Sequence, residues 1–157
     1  RLQAAGARRV VVMTIPNAAL SPFGAAGGAS TQGLLTALAG AYNDTVKREF
    51  GTPETGVLLF DAGSLAASWY QNPAAVGFVN VQAPVCDVPA ALGSSSSFCF
   101  ITPAPAGSAQ NPFQRVLPAG VTPENSLFAD AVHPSLRAHS LFGGALHDTL
   151  RARGWVR

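Results

Sequence analysis

The chain is poor in charge: only 11% of its 157 residues are Asp, Glu, Lys or Arg, against 48% hydrophobic. That balance excludes a disordered chain, which would be polar and charge-rich. The length corresponds to about one domain, enough for a real core. The formal net charge is +2, and the arginines are dispersed, with small groups at Arg8-Arg9 and at Arg151, Arg153 and Arg157. No dense basic face results, so the sequence gives no support to a nucleic-acid partner. Long apolar runs are lacking as well. The longest, Val10 to Ile15, is strand-sized, well short of the roughly 18 residues of a membrane span. It is also too short and too β-branched for a signal peptide.

Cysteine is scarce. Cys86 and Cys99 both fall in one long irregular stretch. Two readings are open, a disulfide closing that loop or a pair of reduced, buried thiols. We expect the disulfide, because loop cysteines have no packed core to hide in, and a bridge fits an extracytoplasmic protein. A zinc site would need further ligands, and neither His nor a third Cys lies between the two.

What is present reads as alternating strand and helix. Arg9 to Ile15 is apolar on both faces, as in a parallel sheet covered by helices. A Pro/Gly/Ala-rich loop, Pro16 to Gly28, follows. Ser30 or Thr31 can then cap a helix to Phe50, with Leu34, Leu38, Tyr42, Val46 and Phe50 at helical spacing and Gly51 and Pro53 as the stop. Gly56 to Phe60 reads as a second strand without a polar face, completing a βαβ unit. A short helix is expected over Ser64 to Gln71. The stretch 73–125 is rich in Pro, Gly, Ser and Ala, with Ser94 to Ser97 as its low-complexity tip. A loop of that length is expected to be functional, pinned by the disulfide, or partly mobile. A closing helix is expected from Pro134 to Arg153, with Pro134 at its first position and Leu136, Gly143, Leu146 and Leu150 on one side. Two such strands and three helices do not make an independent sheet. The rest of the domain is expected to come from elsewhere.

Asp130-Ala131-Val132-His133-Pro134 is the segment richest in chemistry. An Asp three residues before a His, on a loop leading into a helix, can hold the imidazole Nδ1 proton and leave Nε2 as a general base. The same spacing also suits a loop Asp that merely caps the turn. His139, about two turns into the closing helix, could complete a two-His, one-carboxylate set with Asp130 and His133, but six residues along a helix put His133 and His139 on widely different azimuths. We expect His139 to pack at the helix–sheet interface and His147 to be exposed. No metal and no cofactor is called for. Phe23 and Leu20, after the first strand, fall at the carboxyl edge where α/β sites lie. Phe78, Phe98, Phe100 and Phe113 are candidates for a substrate wall in the long loop.

The segment Ser126-Leu127-Phe128-Ala129-Asp130-Ala131-Val132-His133-Pro134-Ser135-Leu136-Arg137-Ala138-His139 resembles the last block of the SGNH (GDSL-type) esterases and lipases. Arg1 to Val12 resembles the helix end and strand that follow that family's oxyanion-hole block. Asn72-Pro73-Ala74-Ala75-Val76-Gly77-Phe78-Val79-Asn80-Val81, followed by Cys86, resembles a stretch of bacterial secreted and autotransporter-type members. In order, these segments are spread along residues 1–139 of the chain. The resemblance implies a flavodoxin-like three-layer α/β/α sandwich with a parallel sheet, incomplete here, of which residues 1–157 are the C-terminal portion. It implies a Ser-His-Asp carboxylic ester hydrolase acting on an ester or lipid, in an extracytoplasmic bacterial setting. Within it, His133 is the base and Asp130 orients it.

The family's G-D-S block and its oxyanion Gly and Asn have no counterpart. Asp61-Ala62-Gly63-Ser64-Leu65 has the right residues in the wrong order, and Ser64 reads as a helix cap. Asn43 falls mid-helix and reads as a surface residue; its Asn43-Asp44-Thr45 sequon is weak in a helix. The nucleophile is therefore expected from the N-terminal half of the same domain, within the same chain or as a separate one. A noncatalytic binding module on an SGNH-like fold is the alternative.

Overall fold

The first strand, β1 (Val11–Met13), pairs in parallel with β2 (Leu58–Phe60), in the register Val11 with Leu58, Val12 with Leu59 and Met13 with Phe60. The computed structural model describes residues 1–53, 56–93, 96–99 and 104–157. Phe100, Ser94 and Ser95 lie outside the described residues. The four α-helices among the described residues are α1 (Pro22–Ala26), α2 (Gly28–Phe50), α3 (Ala62–Gln71) and α4 (Leu136–Ala152). The chain is thus mixed α/β around a two-stranded parallel sheet.

The connection between the strands differs from the sequence reading at its start. The loop after β1 contains a helix, α1, because Ser21 caps the Gly24 N–H and Pro22 occupies the first helical position. Helix α2 then begins at Gly28, ahead of Ser30 and Thr31, and has no side-chain cap. Its cap residue is Gly27, where a Cβ would lie 2.6 Å from the Thr31 side chain. Thr31 belongs to the first turn of α2 itself, so crowding within that turn favours glycine at the cap. Along α2 only Ala39 and Val46 are buried. Leu34, Leu38 and Tyr42, which recur at helical spacing, are exposed, as are Met13 of β1 and Ile15 just beyond it. The apolar stripe is present, but nothing within the described chain covers it.

Two clusters carry the burial around the site. Trp69, Phe78, Leu127, Phe128 and Ala138 form the larger, with Leu141 and Phe142 of α4 packed on it. Trp69 meets Phe142 edge-on, ring centroids 4.5 Å apart, and Phe78 at 6.2 Å. Val85, Cys86 and Val88 form the smaller, with Cys99, Phe113 and Leu117 around them.

The described residues of the long stretch 73–125 form no named strand. Short 3-10 turns at Pro73–Val76, Ala90–Leu92, Ser96–Phe98 and Pro123–Asn125 alternate with isolated bridges from Asn80 to Ser126 and from Cys86 to Gln114. Asn80 fastens two of these pieces, donating from Nδ2 to the Ala83 carbonyl and to the Ser126 hydroxyl. Cys86 and Cys99 form a disulfide.

Helix α4 starts at Leu136, two residues later than Pro134. Ser135 is the cap, accepting the Ala138 N–H, while Pro134 bridges back to Phe128. A proline also biases the residue before it, His133, toward extended backbone, which delays the helix. No described helix is long and apolar enough to cross a membrane.

Candidate active site

The loop from Leu127 to Ser135 folds back on itself. The Ser135 N–H donates to the Leu127 carbonyl, and the Ala129 N–H donates to the His133 carbonyl. Three neighbours then fix it from outside. Leu127 and Phe128 are anchored in the larger cluster. The Val85 and Cys86 N–H groups donate to the Phe128 and Ala129 carbonyls, and the Phe23 N–H donates to the Ala131 carbonyl. Asp130 and His133 therefore sit on a loop with little freedom to move.

Asp130 is buried, its side chain 1% exposed, and His133 is 62% exposed. His133 Nδ1 lies 2.8 Å from Asp130 Oδ2 and 3.0 Å from Oδ1. Oδ1 also accepts the backbone N–H groups of Val132 at 2.9 Å and His133 at 2.7 Å, and Oδ2 accepts the Ser96 N–H at 2.6 Å. Burial by itself would raise the carboxyl pKa. The N–H groups of His133, Val132 and Ser96, with the His133 ring, outweigh it and hold Asp130 down at about 2. An ionised carboxylate only accepts hydrogen bonds, so in the neutral ring the proton sits on Nδ1. Nε2 is then the basic nitrogen, and it carries no hydrogen bond to a described residue.

His133 opens on a cleft of about 690 Å³. The Cys86–Cys99 disulfide, Ser96, Leu136 and His139 are among its walls. His139 is exposed there, not packed at a helix–sheet interface as expected. It starts the second turn of α4, whose buried face is Ala138, and this turns the imidazole outward. Among the described residues no group of three or more His, Cys, Asp or Glu could hold a metal.

The aromatic candidates separate. Phe23 is exposed beside the Asp130 loop, which its backbone N–H helps to hold. Phe78 is 2% exposed, under the loop in the Trp69 cluster, so its place is in the core and not on a substrate wall. Neither lines the cleft. An aromatic residue in a loop with no periodicity gives no sign of which way it faces.

The Asp61 to Leu65 segment serves the sheet edge. Asp61, not Ser64, caps α3, accepting the Ser64 N–H and the Ser64 hydroxyl. It also accepts the buried Thr14 hydroxyl at 2.6 Å and pairs with Lys47 at 2.8 Å. Burial works against its ionisation, but Lys47, Thr14 and Ser64 together hold its carboxyl well below the usual range. Gly63 is needed because a Cβ there would lie 2.7 Å from the Ile15 carbonyl oxygen. Asn43 is a second clamp on the same edge. Its Oδ1 accepts the Ile15 N–H at 2.8 Å and its Nδ2 donates to the Ile15 carbonyl at 2.9 Å. The sequence placed Asn43 on a solvated helix face; nothing in its neighbours marked the contact with residues 28 positions away.

Comparison with known proteins finds no protein-family model that matches the chain and no curated protein that matches it.

Proposed function

We propose that this chain supplies the acid–base half of a serine carboxylic ester hydrolase, an esterase or lipase of the SGNH (GDSL) type. The carrying observation is a buried, ionised Asp130 that holds Nδ1 of a largely exposed His133, leaving Nε2 open beside a cleft. A base must be held in one tautomer and yet reach solvent and substrate, and this pair meets both demands. Ser64 is unsuited to the nucleophile's part, since its hydroxyl is bonded to Asp61.

On this reading the serine and the oxyanion donors come from the N-terminal half of the same domain, in the same chain or as a separate one. The uncovered stripe of Leu34, Leu38 and Tyr42 and the two-stranded sheet support a larger three-layer sandwich. His133 Nε2 takes the serine proton as the oxygen attacks the ester carbonyl, then returns it to the departing alkoxide. The same nitrogen deprotonates the water that cleaves the acyl-enzyme. Throughout, Asp130 stays ionised and stabilises the imidazolium. The disulfide supports an extracytoplasmic setting, and the resemblance to bacterial secreted members makes that setting bacterial on this reading.

The test is His133→Ala in the complete protein, assayed with short-chain aryl esters. We expect kcat to fall by about three orders of magnitude or more with thermal unfolding little changed. An unimpaired variant overturns the assignment and favours a noncatalytic binding module.

A further inference from the structure

The Cys86–Cys99 disulfide touches the Asp130 loop from both of its ends. On one side, Val85 and Cys86 donate their N–H groups to the Phe128 and Ala129 carbonyls, at 3.2 and 2.8 Å. On the other, the short turn Ser96–Phe98 leads into Cys99, and its first N–H, that of Ser96, points at Asp130 Oδ2. The Cys99 N–H returns to the Ser96 carbonyl at 2.9 Å, so the sulfur, the turn and the donor form one small unit. The bridge spans 13 positions and joins Cys86, buried in the smaller core cluster, to Cys99, partly buried against it. Within the turn Ser97 and Phe98 are exposed, and the bridge at Cys99 is the covalent hold on the segment that places Ser96 over the carboxylate.

We infer that the disulfide-closed turn is a positioning element for the Asp130 carboxylate, with the Ser96 backbone N–H as its contact. Asp130 Oδ1 already takes two N–H groups from its own loop, those of Val132 and His133. Oδ2 faces the imidazole, and Ser96 is the only backbone donor among the described residues that reaches it. The Ser96 bond thus sets the rotation of the carboxylate about its own axis, and with it the direction in which Oδ2 meets Nδ1. It also counters the burial that favours the neutral acid. The charged or titratable groups that share this surroundings are His133, in contact, and Glu124, Arg137 and His139 across the cleft. The consequence for turnover rests on the ester-hydrolase reading; the effect on the carboxylate does not.

The test reads Asp130 itself, in the complete protein. The side-chain carboxyl carbons of aspartate are labelled with carbon-13, and the Asp130 signal is assigned by its loss in Asp130→Asn. Two variants are compared with wild type while the pH is lowered, with circular dichroism following the fold. Ser96→Pro deletes the N–H and keeps the disulfide; Ser96 opens its turn, where proline is tolerated. Cys86→Ala combined with Cys99→Ala removes the bridge and keeps the N–H. A lost hydrogen bond to a charged group corresponds to about one pKa unit or more. Asp130 is therefore expected to be mostly ionised at pH 3 in wild type and about half protonated or more in both variants. An Asp130 titration unchanged from wild type in either folded variant overturns the inference and leaves the bridge a tie of the loop alone. If the cysteine pair does not fold, Ser96→Pro decides by the same criterion. Where the wild type hydrolyses esters, both variants are also expected to lose kcat, about tenfold, with KM little changed. Absence of esterase activity in wild type would sink the hydrolase reading and leave the carboxylate result standing.

Discussion

Asp130 Oδ2 lies 2.8 Å from His133 Nδ1, and across that short distance the surroundings change from buried protein to open cleft. The carboxylate has four hydrogen-bonding partners and almost no contact with water. The imidazole has one anchored edge and one free edge. This asymmetry fixes the tautomer and lets the far nitrogen work. It also makes the pair sensitive to small changes in the carboxylate.

Replacing Asp130 by Asn retains shape and removes the charge. One amide oxygen can still accept the Val132 and His133 N–H groups. The amide nitrogen then faces the Ser96 N–H and His133 Nδ1, where it is a donor among donors. To pair with it, His133 must move its proton to Nε2, the wrong tautomer for a base. In the complete protein we expect Asp130→Asn to lower kcat by about 10²- to 10⁴-fold, a loss no greater than that of His133→Ala. Steady-state kinetics on both variants check this; a fully active Asp130→Asn enzyme contradicts it.

The same carboxylate ties stability to pH. Asp130 titrates at about 2 in the fold against 3.8 for the ordinary side chain. Its folded pKa is depressed, so the stabilisation is present above the unfolded value and is lost as pH falls from about 4 through about 2. The contribution is on the order of 2 kcal/mol. Chemical denaturation at pH 6 and pH 3, with Asp130→Asn alongside, measures it. Wild type is expected to lose more stability over that interval than the variant, and equal losses would contradict the prediction.

Asn43 distinguishes two readings by sign. For a solvated helix position, Asn43→Ala would stabilise α2 by a few tenths of a kcal/mol, since alanine is the better helix former. For a clamp on Ile15, the change removes two hydrogen bonds and is expected to destabilise by about 1 kcal/mol net. Asp44→Ala, on the neighbouring exposed position of the same helix, serves as the control and is expected to stabilise by a few tenths of a kcal/mol. Thermal unfolding of the two variants decides between the signs.

The features legible in the sequence were those with local causes. Unbroken apolar runs gave β1 and β2, helical spacing with Gly51 as a stop gave the end of α2, and two cysteines in one loop gave the bridge. Asp130 and His133 could be paired because three residues of loop set their separation. What was not legible lacks a local marker or depends on distant partners. The start of α2 at Gly28, ahead of Ser30 and Thr31, has no side-chain cap to mark it. Phe78 turned inward to meet Trp69, and His139 turned outward because Ala138 takes the buried face. Ser96 offered no signal at all, since its role belongs to a backbone N–H that any residue except proline could supply. The helical spacing of Leu34, Leu38 and Tyr42 marks an apolar stripe, but periodicity does not say whether the surface that covers a stripe lies in the same stretch of chain.

The most direct test of the central claim is covalent labelling of the complete protein with a fluorophosphonate, read by denaturing intact mass and peptide mapping. We expect a single adduct, on a serine outside these 157 residues, formed by wild type and lost or strongly slowed in His133→Ala. No adduct on the wild-type protein, or an adduct that forms equally well without His133, would contradict the account.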